Sequence, residues 1–197
     1  MISQNVDLAV PVERHGQMKG RLRELPGFHP SPEEPSVWLP DSPQLLEVNF
    51  LGLDPRTRDS SDTYVLEDPE LPLLVFGLLS LLRSGEPVHV GTLAVPVPRL
   101  SGLLLEKLAS ERSGEKGDRD LLVALGLLLV STQDDLNELD QGYRALPADL
   151  RHGVRANLAT LALLQARDGM PDPGPHRRTV GDLRRRLEEA DEGFDGR

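Results

Sequence analysis

Cysteine is absent from the 197-residue chain. That excludes disulfides, thiolate metal sites and cysteine nucleophiles, and it fits a cytoplasmic protein. Aromatic residues make up only 4% of the sequence, so a core must be built from aliphatic side chains, chiefly Leu and Val. No cationic stretch followed by an apolar segment opens the chain, and no secretory signal is expected. The longest apolar runs, "LPLLVFGLLSLL" (71–82) and "LLVALGLLLV" (121–130), fall short of the roughly 20 residues needed to span a bilayer, so no membrane partner is expected. Positive charge is also short: 22 Lys and Arg stand against 32 Asp and Glu, for a net charge of −10. Such a balance argues against tracking along a nucleic-acid backbone, which needs clustered cations. Nucleic acid then enters only as an acceptor, and a local basic pocket stays compatible with the total.

What is present divides into two halves. "VDLAVPV" (6–12) reads as a strand and "ERHGQMKGRLREL" (13–25) as a helix weakened by Gly16 and Gly20. The proline-rich "PGFHPSPEEPSVWLPDSP" (26–43) allows short edge strands, with "SVWLP" as one arm of an irregular hairpin and Trp38 plugging it onto the core. "QLLEVNFLGL" (44–53) is a second strand with Leu46, Val48 and Phe50 on one face. A polar loop (54–63) follows, and "EPVHVGTLAVPVPRL" (86–100) reads as one or two strands broken at Gly91.

Beyond residue 98 the periodicity is helical: 98–113, then the more apolar 118–130 as the central helix, then 132–146 and 148–167. Thr132 followed by Asp135, and the punctuation at Pro147, mark helix starts. Strands first and helices after predict an α+β fold: a small mixed sheet with packed helices over 1–97, a helical part over 98–167, and a linker with a charged tail over 168–197. In the tail, "RRTVGDLRRR" is followed at once by "LEEADEG", so its charges are expected to pair among themselves.

The candidate chemistry lies in the two convincing strands. Asn5 and Asp7 are two apart and leave one face of the first; Glu47 and Asn49 do the same in the second. If the strands are neighbours, the four converge, and such a group can hold a divalent metal that activates a hydroxyl and neutralises a triphosphate. The alternative is an edge strand showing its polar face to water. The five histidines (His15, His29, His89, His152, His176) are scattered without a metal-pair spacing. No P-loop, Rossmann fingerprint or nucleophile elbow occurs.

Taken together, "NVDLAVP", "RLRELPGF" and "LLEVNFLG" resemble the core of the nucleotidyltransferase superfamily with the polymerase-beta-like fold. The likeness is greatest to its bacterial group of uncharacterised members and to relatives among abortive-infection-type toxins. In that core a Gly-Ser helix precedes a strand bearing an Asp-x-Asp pair, and a later strand supplies a third Asp. Asp7 matches the second acid, whereas the first matches Asn5 and the third Asn49, with Glu47 as a stand-in one pleat away. The chain starts just before the strand, so the Gly-Ser helix is expected to be missing. The resemblance implies Mg²⁺ held by Asp7 and Glu47, with Asn5 and Asn49 as weak ligands.

It continues in "PVPRLSGLLLEKLASERSGEKGDRDLLVALGLLL" (96–129), where Lys107, Arg112 and Arg119 match cations that meet the nucleotide and Asp120 matches an acid of the site. Read from the residues alone, the same four are solvent-facing ends of two helices. The expected activity is transfer of a nucleoside monophosphate from an NTP to a hydroxyl, weakened or lost because two acids are amides. The competing expectation is a non-catalytic interaction protein with a protein partner, such as half of a toxin–antitoxin-like pair.

Overall fold

The computed structural model describes residues 5–54, 56–57, 62–110, 114–166 and 171–192. The fold is mixed α+β, and the chain divides into two compact units, Met1–Ser80 and Leu81–Arg197.

The first unit is a mixed sheet organised around one strand. Strands β1 (Asn5–Pro11), β2 (Phe28–Pro30), β3 (Val37–Pro40), β4 (Glu47–Leu53), β5 (Thr63–Leu66) and β6 (Leu73–Phe76) are accompanied by helix α1 (His15–Leu22). Along one side of β4 runs β1, parallel and in register over its full length. The other side is shared: β3 pairs antiparallel at Val48 and Asn49, and β6 pairs parallel at Leu51 and Gly52. Gly52 sits in the second of these pairings because a Cβ there would collide with Cγ2 of Val75. The outer strands are β1, beside β4, β2, beside β3, and β5, beside β6.

Alternation then decides the faces. Val10, Trp38, Phe50 and Leu73 are buried with Leu22 of α1 and Leu71, and Trp38 meets Phe50 edge-on with ring centroids 6.4 Å apart. Trp38 thus anchors the β2–β3 hairpin, as its sequence position suggests. Helix α1 stops at Leu22, earlier than its periodicity predicts, because Pro26 biases the residue before it away from the helical region and Gly27 turns the chain with φ of 81°. His15 Nε2 reaches the Leu71 carbonyl at 2.8 Å, and Lys19 pairs with Asp68 at 2.5 Å, fastening α1 to the segment before β6. Strands β5 and β6 have no counterpart in the sequence reading.

The second unit opens with a hairpin, β7 (Val88–Val90) and β8 (Leu93–Val95), turned at Gly91 with φ of 61°. The helices are α2 (Leu100–Ala109), α3 (Gly114–Val130), α4 (Gln133–Arg144), α5 (Ala148–Leu163) and α6 (Arg177–Glu192). The central helix is α2, which packs against α3, α4 and α5. Sequence apolarity pointed to α3 instead. The apolar segment 118–130 is only part of α3, whose first turns are charged and whose end leaves Leu129 and Val130 exposed, whereas α2 buries Leu104, Leu105, Leu108 and Ala109. Small residues permit the crowding: a Cβ on Gly102 would strike the Leu81 carbonyl, and Gly142 of α4 faces Leu105.

Helix α4 begins with the expected capping box, in which Thr132 Oγ1 accepts from the Asp135 amide and Asp135 Oδ2 accepts from the Thr132 amide. The bond from the Thr132 hydroxyl holds the Asp135 carboxyl below the usual range. The last segment is more than the charged tail that composition suggested. Helix α6 buries Val180, Leu183 and Leu187, a stripe at helical spacing, against α5 and α4. Its outward charges pair as expected, Arg184 with Glu188 and Arg185 with Asp182. Asp191 accepts from the buried Tyr143 hydroxyl and from Arg151, and it pairs with Arg155. Among the described residues, no helix is long and apolar enough to cross a membrane.

Candidate functional site

Parallel pairing of β1 with β4 brings Asn5 opposite Glu47 and Asp7 opposite Asn49. Side chains two apart share a face, so all four positions lie on the same face of the sheet, opposite the buried Val10 and Phe50. The neighbour relation on which the site hypothesis depends is therefore present. Asp7 is exposed, while Asn5, Glu47 and Asn49 are half-buried. Among the described strands β1 pairs only with β4, so Asp7 stands on an edge strand, as the alternative reading of that strand requires.

The contact between the strands is specific. Asn49 Nδ2 donates to Asp7 Oδ1 at 2.9 Å. Its other amide atom, Oδ1, is buried and meets no hydrogen-bond partner within the described structure. A magnesium ion shared by these residues would need oxygen atoms facing Asp7, yet Asn49 presents a nitrogen there. Rotating the amide would turn Oδ1 towards Asp7 and carry Nδ2 away from its acceptor. Nor do the described residues contain a group of three or more acids and histidines able to hold a metal. As arranged, this face does not fit the magnesium cluster that the resemblance implies.

The cationic candidates belong to the second unit. Lys107 lies in the last turn of α2, with Nζ 3.2 Å from Glu106 Oε2. The Glu106 residue is only 7% exposed, and its Oε1 accepts from the Ser110 hydroxyl at 3.1 Å. Asn157 of α5 fixes the same helix end by donating to the carbonyls of Leu108 and Ser110. Arg119 is exposed and Asp120 half-buried on α3, and both take part in polar interactions. Arg112 lies outside the described residues. The structure thus brings Asn5, Asp7, Glu47 and Asn49 together in one unit and places Lys107, Arg119 and Asp120 in the other.

Two further polar groupings were not singled out from sequence. At the end of β4, Asp54 accepts from the Arg56 side chain and amide and from the Tyr64 hydroxyl, and the Arg56 bond holds its carboxyl below the usual range. In the second unit a cleft of about 460 Å³ is lined by Ser84, Glu86, Arg99, Asp134, Asp135 and Glu138. Four carboxylates against one arginine, itself paired with Glu138, make this cleft repellent to a phosphate. Glu106 was passed over in sequence because an acid beside a lysine on a helix reads as ordinary surface; its i,i+4 spacing to Ser110 was the available signal.

Compared with known proteins, the chain matches no family model, no curated protein sequence and no solved structure.

Proposed function

We propose that this chain is a degenerate nucleotidyltransferase-like protein, in which transfer of a nucleoside monophosphate from an NTP to a hydroxyl acceptor is residual or lost. The reading rests on the sequence resemblance together with one observation: β1 and β4 pair so that Asp7 and Glu47 share a face with two amides, one of which is bonded to Asp7. In this account Asp7 and Glu47 of the first unit are what remains of an acidic cluster, and in the second unit the resemblance makes Lys107, with Arg112 and Arg119, phosphate-facing cations and Asp120 an acid beside them. Loss of two carboxylates lowers the charge that would draw a divalent cation, and the Asn49 amide takes up one oxygen of the Asp7 carboxylate. The test is transfer of an α-phosphate label from each NTP in the presence of Mg²⁺, with Asp7→Ala as control. The expected result is a signal near background in both proteins. Robust transfer that Asp7→Ala abolishes would overturn the reading.

A second reading, a non-catalytic interaction protein such as half of a toxin–antitoxin-like pair, is favoured by the β7–β8 hairpin. Val88, Val90 and Leu93 are 51%, 65% and 62% exposed there, and residues 87–98 carry no charged side chain. Apolar groups at that exposure on one hairpin face suit a protein partner. Recovery of a defined partner with the wild type but not with Val90→Asp would favour this reading over residual catalysis.

A further inference from the structure

Lys107 ends α2 in an unusual setting for a surface lysine. Its side chain is 21% exposed, and the Glu106 side chain beside it is 9% exposed. A carboxylate so little hydrated is held in place by its partners rather than by water. One oxygen of Glu106 meets the Lys107 ammonium at 3.2 Å. The other accepts from Ser110, one turn further on. Asn157 then fixes the carbonyls of Leu108 and Ser110, so the helix end that carries all three residues cannot easily unwind to let the carboxylate go.

We propose that Glu106 is an internal counter-ion that occupies Lys107 in place of an anionic ligand, and so decides whether this helix end can bind a phosphate chain. The proposal rests on the reading of Lys107 as a phosphate-facing cation. A triphosphate approaching Lys107 meets a lysine whose charge is already compensated, and to take it over must displace a carboxylate held by Lys107 and Ser110. Glu106→Gln keeps the shape and leaves an oxygen to accept from Ser110, but removes the charge. Lys107 can follow the change, because its long stem lets the ammonium move towards water while its methylenes stay packed.

The experiment uses the full chain, inorganic tripolyphosphate as probe, and calorimetry at low ionic strength. Alongside it, acetylation of the Lys107 amine by an activated ester is followed by peptide mass spectrometry. The expected result for Glu106→Gln is faster acetylation at Lys107 and tripolyphosphate binding about tenfold tighter than wild type. The binding gain should vanish in Glu106→Gln/Lys107→Met. Ser110→Ala, which releases only one of the bonds to Glu106, should give a smaller gain in both measurements and serves as a second probe should Glu106→Gln fold poorly.

Unchanged acetylation in Glu106→Gln and Ser110→Ala would overturn the proposal, since Glu106 would not be restraining the amine. Tight Lys107-dependent binding by the wild type would also overturn it, while leaving the phosphate-facing role of Lys107 intact. Faster acetylation without any gain in binding would instead overturn that role, and the anion site with it.

Discussion

Asp7 and Asn49 show what one amide changes when it stands across from an acid. Two carboxylates on facing strands repel each other and invite a cation between them, whereas an amide supplies its own donor, as Asn49 does here. Lys107 has met a comparable fate with the opposite sign, tied to Glu106. Elsewhere in the first unit, Asp68 shows how strongly a single partner can act. A hydrogen bond from Lys19, with backbone donors from Glu70 and Leu71, holds its carboxyl well below the usual carboxylate range. A carboxyl whose pKa is lower in the folded than in the unfolded state adds stability above its unfolded value, near 4, and loses that contribution as pH falls towards its folded value. Acidification below about pH 4 should therefore lower the melting temperature of the first unit. Lys19→Met should flatten that acid limb while leaving part of it, since the backbone donors remain. Melting temperature against pH for the two proteins checks this, and identical acid limbs would show that the Lys19 bond contributes nothing.

At the scale of the element, local signals were legible and distant ones were not. Thr132 with Asp135 marked the start of α4 because a cap is made within one turn of chain, and Gly91 marked the β7–β8 turn because its positive φ is a local demand. Strand β6 escaped because it lies in the apolar run "LPLLVFGLLSLL", which does not distinguish strand from helix without a pairing partner, and β5 because "TYVL" is a four-residue segment that only its pairing with β6 defines. In α6 the many charges hid a three-residue apolar stripe that has the ordinary helical spacing. That stripe carries a prediction. Leu187 is fully buried, so Leu187→Ala should cost about 2–5 kcal/mol of stability, read from the shift in the denaturant midpoint of the helical unit. A solvated tail would give a change within about 0.5 kcal/mol. A value in that lower range would contradict the seating of α6.

For the molecule as a whole, the spacing within each strand told which residues share a face, but it took the β1–β4 pairing to put the two faces together. Which of the candidates are already engaged by neighbours was not legible at all, because the Asn49–Asp7 bond depends on register and the Glu106–Lys107 pair on burial. Net charge acts across the same scale. At −10 the chain repels free triphosphate at long range, so any nucleotide binding must be won locally, and it should weaken less with added salt than at a cationic site. The most direct measurement is a calorimetric titration of Mg²⁺, in the presence of an NTP, into the wild type and into Asn5→Asp/Asn49→Asp. The account predicts no protein-dependent Mg²⁺ binding for the wild type and a clear isotherm once the two carboxylates are supplied. Saturable Mg²⁺ binding by the wild type, abolished by Asp7→Ala, would contradict it.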